Sequence, residues 1–238
     1  MKIALIGYGK MGKAIEEIAL QQGHEIVLKI NSDNKELLSS SSLQKADVAI
    51  EFSTPESAIE NIEYCLQAGI PLVCGTTGWT NALPQIQARC TALNGAMVYA
   101  SNFSIGVNLF FELNTKLAAL MANQPQYEVI LEEIHHTQKK DAPSGTALTL
   151  ATQILAYNKK KKQWVNDISD NPEDLEIISQ RIDPTPGTHS VKYASVVDDI
   201  EIIHTAHNRT GFAAGAVLAA TFIKEKKGIY TMKDVLGL

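Results

Sequence analysis

The feature that most constrains this chain is a glycine-spaced turn close to its start. The apolar run KIALI leads into GYGKMG (residues 7–12), and a segment with helical periodicity then continues to Gly23. In this setting Gly7 permits a tight turn, Gly9 lets a phosphate approach the backbone, and Gly12 lets the helix pack closely on the strand. The order of strand, glycine turn and helix predicts a dinucleotide-binding fold, with the pyrophosphate at the helix N-terminus. A glycine-rich turn of some other α/β protein is the alternative.

The alternation of strand and helix continues through the first hundred residues. Predicted strands follow at residues 24–30, 46–53, 71–79 and 96–108, and a helix capped by Thr54 follows the second of these. Repeated strand–helix units predict a parallel sheet, and such sheets bind ligands at the carboxyl ends of their strands. The residues at those ends, which we expect to line the cofactor, are Gly75, Thr76, Thr77, Ala100, Ser101, Asn102 and Phe103.

Composition narrows the class of protein. The formal net charge of −5 and the pI near 5.7 argue against general nucleic-acid binding. Cys65, Cys74 and Cys90 form no metal-binding pattern, and an odd cysteine count without a secretion signal suggests reduced thiols. No window approaches the roughly 18 apolar residues of a membrane span. We therefore expect a soluble cytoplasmic protein that binds neither nucleic acid nor membrane.

The segment EEIHHTQKKDAPSGTAL (residues 132–148) overlaps the end of a predicted strand at residues 126–136. Pro143 and Ser144 mark the start of the helix that follows. The first backbone amides of that helix, at residues 145–146, have no acceptor within the helix, and the positive end of the helix dipole lies beside them. The sequence therefore predicts a site for an anionic small molecule that carries a carboxylate.

The same segment carries side chains that can move a proton. Lys139 is a cation, and the imidazoles of His135 and His136 can donate at neutral pH. Adjacent residues of a strand point to opposite faces and no HExxH pattern is present, so we expect no metal site. Surface histidines beside a capped helix are the structural alternative, and structural roles are also favoured for three later histidines, His189, His204 and His207.

The segment resembles the pattern E-x-H-H-x-x-K-x-D-A-P-S-G-T-A of the 4-hydroxy-tetrahydrodipicolinate reductase (dihydrodipicolinate reductase) family. GYGKMG, GTTGW, ASNFSIGVN and HTAHNRTGFAAGAV add further matches along nearly the whole chain. The resemblance implies an α/β protein with an N-terminal Rossmann dinucleotide-binding domain, residues 1–105 with 212–238. It further implies an α+β substrate-binding and oligomerisation domain with an open mixed sheet, residues 106–211. In the family that sheet builds a homotetramer.

The resemblance also implies a reaction and a role for each matching residue. The reaction is reduction of 4-hydroxy-tetrahydrodipicolinate, a small dicarboxylate heterocycle, by NADH or NADPH with loss of water, in lysine and diaminopimelate biosynthesis. His135 matches the catalytic proton donor or acceptor, and Lys139 matches the proton donor. The substrate-binding groups match His136, Ser144, Gly145 and Thr146. The cofactor contacts match Gly7, Tyr8, Gly9, Lys10, Met11, Gly12, Asn31, Gly75, Thr76, Thr77, Ala100, Ser101, Asn102 and Phe103.

Asn31 departs from the family pattern at the end of the second strand. Many members carry an acidic residue there, which binds the free 2′-hydroxyl of NADH. With an amide in its place, the preference between NADH and NADPH stays open. Lys10, Lys13 and Lys29 could favour a 2′-phosphate.

Residues 186–209 form a second departure. This segment is shorter than in many members, which carry an extra GEH-containing strand turn there, so the oligomeric state of this chain stays open. Its alternation of apolar and polar residues predicts an antiparallel hairpin that turns at Asp198 and Asp199.

Two other functions compete with the reductase. One is a Rossmann-type nucleotide-binding sensor without chemistry of its own, although a sensor needs no histidine–lysine pair beside an anion site. The other is a dehydrogenase of another small carboxylate. A phosphorylating semialdehyde dehydrogenase would need a nucleophilic cysteine, and Cys74 lies on a predicted strand, which makes this reading poor.

Overall fold

Two separate sheets contain the strands of the protein, and the computed structural model describes all of residues 1–238. In chain order the strands are β1 (Lys2–Ile6), β2 (Glu25–Ile30), β3 (Val48–Glu51), β4 (Leu72–Cys74), β5 (Ala96–Tyr99), β6 (Glu128–His135), β7 (Gln163–Val165), β8 (Asp174–Arg181), β9 (Gly187–Ala194), β10 (Asp199–Ala206) and β11 (Gly228–Tyr230). The α-helices are α1 (Lys10–Gln21), α2 (Ser40–Leu43), α3 (Pro55–Gln67), α4 (Leu83–Ala92), α5 (Ile105–Met121), α6 (Gly145–Tyr157), α7 (Thr210–Ile223) and α8 (Met232–Leu236). None of them combines the length and apolar content that a membrane crossing requires.

The first sheet has the strand order β11-β5-β4-β3-β1-β2, and every pairing in it is parallel. All residues of β3 and β4 are buried, as expected for central strands whose two faces are both covered. The helices between successive strands provide that cover, and they bury the apolar side of each amphipathic pattern. The predicted parallel α/β sheet is therefore confirmed.

One predicted strand in this sheet is too long. The expected strand at residues 96–108 ends at Tyr99, and its last four residues already belong to α5. Asn102 provides a physical reason, because its Oδ1 accepts a hydrogen bond of 2.9 Å from the backbone N–H of Ser104. This side-chain turn competes with strand pairing, and the helix begins directly after it.

The second sheet has the order β10-β9-β6-β8-β7 and is mixed, as the resemblance implied. β6 pairs in parallel with β8 and antiparallel with β9. Residues of β6 alternate between buried and more exposed, so one face of the sheet packs against helices while the other stays open. Phe110 of α5 and Leu150 of α6 cover the buried face. Ile130 and Ile203 are exposed on the other face.

The hairpin of β9 and β10 forms as predicted, but its turn lies earlier. Asp199 is already paired with Ala194, so the connection is residues 195–198 rather than Asp198–Asp199. The Ser195 side chain fixes the turn, because its Oγ accepts hydrogen bonds of 3.1 Å from the N–H groups of Val197 and Asp198. Both strands of the hairpin have eight residues.

The chain divides into two compact units, residues 1–105 with 209–238 and residues 106–208. The first unit contains the parallel sheet and the second contains the mixed sheet. The sequence placed the second boundary at residues 211–212, which would cut into α7, a helix that begins at Thr210.

Gly215 of α7 provides a test of how tightly the first unit is packed. A Cβ at this position would lie 1.7 Å from the carbonyl oxygen of Phe103, a distance that backbone cannot accommodate without moving. We expect Gly215→Ala to lower the free energy of unfolding by about 2 kcal/mol or more. Gly211→Ala in the same helix, where the nearest atom would be 3.6 Å away, should change it by less than about 1 kcal/mol. Urea unfolding of both variants measures the difference, and equal losses would contradict this packing argument.

Candidate nucleotide and active sites

The glycine turn of the first unit has the backbone geometry that a phosphate-binding loop requires. Gly7 has a φ of +93°, and a Cβ there would lie 1.9 Å from the carbonyl oxygen of Phe52. Gly12 supports the same turn, since its Cβ would lie 2.3 Å from the Gly7 carbonyl oxygen. Gly9, which precedes the first residue of α1, has nothing within 4 Å of the equivalent position. The loop is therefore closed on the protein side and open at the helix N-terminus, where a pyrophosphate fits.

Two cavities adjoin this loop, with volumes of about 610 and 470 Å³. They share Gly9, Phe52 and Ser53 in their walls. Among the predicted cofactor residues, those that line one cavity or the other are Gly7, Tyr8, Gly9, Lys10, Met11, Asn31, Gly75, Thr76 and Thr77.

The other predicted cofactor residues lie elsewhere. Gly12 is buried beneath the turn, and Phe103 is 2% exposed and packs its ring 5.6 Å from that of Phe52. Neither cavity is lined by Ala100, Ser101 or Asn102. Phe103 therefore supports the wall of the cavities from the core side, because its ring fills the space behind Phe52.

Phe52 and the carboxylate before it are residues that sequence reasoning missed. A Cβ at Gly75 would lie 2.2 Å from the Phe52 ring, so the glycine makes room for this aromatic wall. Glu51 is fully buried at the end of β3, where it accepts hydrogen bonds from Asn61 at 3.3 Å and from Ser53. The available signal was the tripeptide Glu-Phe-Ser at the end of an otherwise apolar strand, since the carboxyl ends of parallel strands form the ligand-binding edge of such a sheet.

The thiol of Cys74 also donates to Glu51, at 3.2 Å. Burial, and the nearby charge of Glu51, raise the pKa of this thiol well above its ordinary value. A protonated, buried thiol is a poor nucleophile. The cysteine chemistry of a phosphorylating semialdehyde dehydrogenase has no candidate nucleophile at this position.

At the far end of the nucleotide cavities, the side chain of Asn31 is occupied in a turn. Its Oδ1 accepts from the N–H of Asp33 at 2.8 Å. Lys29 forms an ion pair of 2.5 Å with Glu16, so it is less available to a phosphate than its position in the sequence suggested. Lys35, which sequence reasoning missed, lines the larger cavity and pairs with Glu60 at 2.6 Å.

In the second unit, the carboxyl end of β6 meets the N-terminus of α6. His135 is 7% exposed, whereas His136 is half-buried beyond the end of the strand. Ser144 caps the helix, since its Oγ accepts a hydrogen bond of 3.2 Å from the N–H of Ala147. Nothing lies within 4 Å of a Cβ built on Gly145. The first turn of α6 is therefore open to a ligand, as an anion site at a helix N-terminus must be.

Glu133 lies between these elements and is fully buried, a residue that sequence reasoning missed. Its carboxylate accepts from the backbone N–H of Ser144, with both oxygens 3.1 Å away, and from Ser179 Oγ at 2.9 Å. Its Oε2 is 3.5 Å from His135 Nδ1 and 3.7 Å from His189 Nε2. The sequence did carry a signal for Glu133: it lies two residues before His135, and this spacing places both side chains on the same face of a strand.

The electrostatics of this cluster set the charge of each member. Burial alone would raise the pKa of Glu133, but the nearby His189 and the hydrogen bonds from Ser144 and Ser179 outweigh it and hold the pKa well below its usual range. Burial and the neighbouring His189 lower the pKa of His135 to about 4, although the charge of Glu133 opposes the shift. At neutral pH the carboxylate is therefore ionised and the imidazole of His135 is neutral.

His189 belongs to this cluster. It lies opposite Glu133 on the neighbouring strand, and its Nε2 is 3.1 Å from Ser144 Oγ. The preference for a purely structural role thus overlooked its contact with the helix cap. His204 is the next residue across the sheet and packs its ring 5.9 Å from that of Phe110.

Glu133, His135 and His189 also place three potential metal ligands within 4.8 Å of one another. The chemistry of the cluster is nevertheless unfavourable for a divalent cation. Glu133 Oε1 already accepts from Ser179 and lies 3.3 Å from Nη2 of Arg181, so a cation would sit beside a guanidinium. The arrangement fits a hydrogen-bonded carboxylate better than a metal centre.

Lys139 lies on the loop that connects β6 to α6. Its Nζ is 2.9 Å from both carboxylate oxygens of Asp141, and its side chain is 22% exposed. Arg181 holds the same loop, because its guanidinium donates to the carbonyl oxygens of Asp141 at 2.6 Å and Lys139 at 3.4 Å. Asp141 and Arg181 were both missed as site residues, and Arg181 is far from the motif in sequence.

The predicted residues of the second unit thus come together at one end of the mixed sheet: His135, His136, Lys139, Ser144, Gly145 and Thr146. The site offers an open helix N-terminus, a neutral imidazole and a primary amine. These groups can bind a carboxylate and deliver a proton.

Comparisons with known proteins identify the class and the family. A family model described as "Dihydrodipicolinate reductase, N-terminus" matches residues 1–103, and one described as "Dihydrodipicolinate reductase, C-terminus" matches residues 106–236. Fold and site are those of an oxidoreductase that uses a pyridine nucleotide. Within that class, the chain belongs to the dihydrodipicolinate reductase family.

Individual relatives agree with this assignment. The chain is 51% identical over 239 residues to a 4-hydroxy-tetrahydrodipicolinate reductase from Christiangramia forsetii, covering 100% of this chain and 98% of that protein. It is 38% identical over 251 residues to the protein of the same name from Zymomonas mobilis, with the same coverage of 100% and 98%. A solved structure, a dipicolinate-bound dihydrodipicolinate reductase from Paenisporosarcina sp. TG-14, superimposes with a TM-score of 0.77 at 25% identity and covers 97% of both chains.

The lowered pKa of His135 predicts a pH dependence of stability. Between pH 6.5 and about 4 the unfolded chain binds a proton at this residue that the folded chain does not, so stability falls as the pH falls. We expect His135→Gln to reduce the loss of unfolding free energy between pH 7 and 4.5 by about 2 kcal/mol. Urea titrations at several pH values measure this slope. His136→Gln is the control and should retain the wild-type slope; identical slopes in all three proteins would contradict the prediction.

Proposed function

We propose that this protein reduces 4-hydroxy-tetrahydrodipicolinate to tetrahydrodipicolinate with loss of water, in the biosynthesis of diaminopimelate and lysine. The observation that carries the proposal is the site at the open N-terminus of α6, where Lys139 and a neutral His135 flank an anion-binding turn. The 4-hydroxy-tetrahydrodipicolinate reductase relatives span the full chain, which supports the same reaction here.

The second unit binds the dicarboxylate substrate in this proposal. The N–H groups at Gly145 and Thr146 receive one carboxylate, because the helix terminus combines hydrogen-bond donors with the positive end of the dipole. Ser144 shapes this turn through its cap on Ala147, and His136 adds a donor to the substrate. Fixed donors of this kind orient the ring and cost little reorganisation during the reaction.

Lys139 is the proton donor of the proposed reaction. Loss of water from the hydroxylated heterocycle leaves a conjugated imine. A bound reduced nicotinamide would supply a hydride to this ring, and a proton must then be delivered to the developing enamine or ring nitrogen. The Lys139 amine is partly exposed and paired with Asp141, whereas His135 is neutral and buried. Asp141 holds this amine through an ion pair, and a substrate carboxylate of the same charge can compete for it. Neutral His135 then serves to hydrogen-bond the substrate in a fixed orientation.

The first unit binds the nucleotide, and both NADH and NADPH are proposed as cofactors. Gly7, Gly9 and the start of α1 receive the pyrophosphate, and the second cavity beside Gly75 to Thr77 receives the nicotinamide side. Around the adenosine end, Asn31 and Lys35 line the larger cavity. No carboxylate lines that cavity, which supports use of both nucleotides.

The direct test measures oxidation of NADH and NADPH by the purified protein, with the heterocycle generated in the assay by a coupled synthase from pyruvate and aspartate semialdehyde. Turnover that depends on the complete mixture supports the proposed reaction. The ratio of the two rates gives the cofactor preference. Nucleotide binding without turnover would contradict the proposal and favour a sensor.

Lys139→Ala tests the assignment of the proton donor. We expect kcat to fall by about 100-fold or more, since general acid catalysis contributes factors of this size. The Kd for NADH, measured by fluorescence titration, should stay unchanged because the nucleotide residues lie in the other unit. Lys140→Ala replaces the adjacent, exposed lysine and should retain wild-type turnover. Full turnover in Lys139→Ala would remove this residue from the chemistry.

A homotetramer is proposed as the assembled form, with the open face of the mixed sheet as the contact. This face exposes Ile130 and Ile203, and covering such a surface is favourable. Sedimentation equilibrium should give a mass of about four times 25.9 kDa. Ile203→Glu should yield smaller species, whereas Leu20→Glu, at an exposed position of α1, should not. A monomeric wild-type protein would contradict the proposal.

A cytoplasmic location is also proposed, supported by three buried free thiols, and cell fractionation tests it.

A further inference from the structure

The carboxylate of Glu133 contacts several separate elements of the candidate site. Each of its two oxygens faces a different set of side chains. Oε2 faces His135 and His189, at 3.5 and 3.7 Å. Oε1 faces Ser179 at 2.9 Å and Arg181 at 3.3 Å, while the N–H of Ser144 lies 3.1 Å from both oxygens. One carboxylate therefore contacts β8, β9, the end of β6 and the cap of α6.

Arg181 extends this set of contacts to the Lys139 loop. Its Nη2 lies between Glu133 Oε1 and the carbonyl oxygen of Asp141, which is 2.6 Å away. Its Nε reaches the carbonyl oxygen of Lys139 at 3.4 Å, and its Nη1 donates to the carbonyl oxygen of Gln180 at 2.8 Å. The guanidinium uses its planar set of donors to tie a loop to a strand, which an ammonium group cannot reproduce.

We propose that Glu133 and Arg181 are positioning residues, an ion pair between a buried carboxylate and a partly exposed guanidinium that fixes the Lys139 loop and the N-terminus of α6 relative to each other. The proposal rests on the proposed function, in which these two parts hold the substrate and protonate it. Neither residue needs to touch the substrate. Glu133 acts through the Ser144 N–H and the two histidines, and Arg181 acts through the backbone of residues 139–141.

The two residues have separable effects. Glu133→Gln keeps the shape of the side chain but places an N–H₂ group where an oxygen now accepts from Ser144, and it leaves the Arg181 charge without its partner. We therefore expect this substitution mainly to displace the helix cap at Ser144. Arg181→Lys keeps a charge near Glu133 but loses the bonds to two loop carbonyls. We therefore expect this substitution mainly to displace the Lys139 loop.

Dipicolinate, a planar heteroaromatic dicarboxylate, is the probe for the anion site. By titration calorimetry we expect Glu133→Gln to weaken its Kd by 10- to 100-fold, the range expected for hydrogen bonds to a charged group. Arg181→Lys should change this Kd by less than about threefold and lower kcat by about tenfold or more. Glu132→Gln is the matched control, since Glu132 is adjacent on β6, faces the other side of the sheet and accepts from Gln180. It should behave as wild type in both measurements.

A titration of His135 separates positioning from a general loosening of the fold. The charge of Glu133 raises the pKa of His135, so its loss in Glu133→Gln should move the NMR titration of this imidazole to lower pH. Loosening would admit water and move it upward, towards 6.5. Thermal unfolding of each variant accompanies these measurements. If Glu133→Gln does not fold, Arg181→Lys carries the test through its split between Kd and kcat.

An unchanged dipicolinate Kd in folded Glu133→Gln, or an unchanged kcat in Arg181→Lys, overturns the proposal. An upward shift of the His135 titration does the same. Failure of the proposed function would give a different set of results. In that case the wild-type protein does not turn over the heterocycle, yet dipicolinate still binds and Glu133→Gln still weakens it.

Discussion

A buried carboxylate needs hydrogen-bond donors for its oxygens, and in the mixed sheet the groups that meet this need determine the arrangement of the site. Glu133 is fully buried and ionised, so each of its lone pairs needs a donor. The donors are the backbone N–H of Ser144 at the helix cap and the side chains of Ser179 and Arg181 on β8. Because breaking one partner would leave a charge unpaired in a dry environment, the partners fix one another. The contacts of Glu133 and its partners therefore hold the N-terminus of α6 and the Lys139 loop in place.

The parallel sheet is organised by backbone approach rather than by a charge. At Gly7, Gly12 and Gly75 a Cβ would overlap a carbonyl oxygen or the Phe52 ring. Their absence of side chains brings the first turn, the end of β3 and the end of β4 close together, and the cavities open where these ends meet. Gly9 is the exception, since its free space faces outward. A ligand that approaches the backbone uses that space, which is why the same motif serves nucleotides.

Much of this could be predicted from local sequence, and what could not be predicted depends on distant contacts. The period of the apolar residues predicts the parallel sheet, the helices and the hairpin, because burial repeats with the geometry of each element. It fails after Tyr99, where the strand was predicted to continue to residue 108 but Asn102 turns the chain through a side-chain hydrogen bond. Arg181 lies 48 residues from Glu133, so no spacing rule connects them. His135, His136 and Lys139 could be found because they share one segment.

The two basic side chains of that segment differ in their environment, and this difference divides the chemistry between them. His135 lies among a carboxylate, a second imidazole and a nearby guanidinium, and desolvation dominates over the attraction of Glu133, so the ring stays neutral. Lys139 reaches the edge of the site, where Asp141 and water stabilise its charge. A donor must hold a proton before reaction and release it to the substrate, which suits the amine. A neutral imidazole can instead accept or donate one hydrogen bond without moving charge into the buried cluster, which suits a group that orients a polar ring.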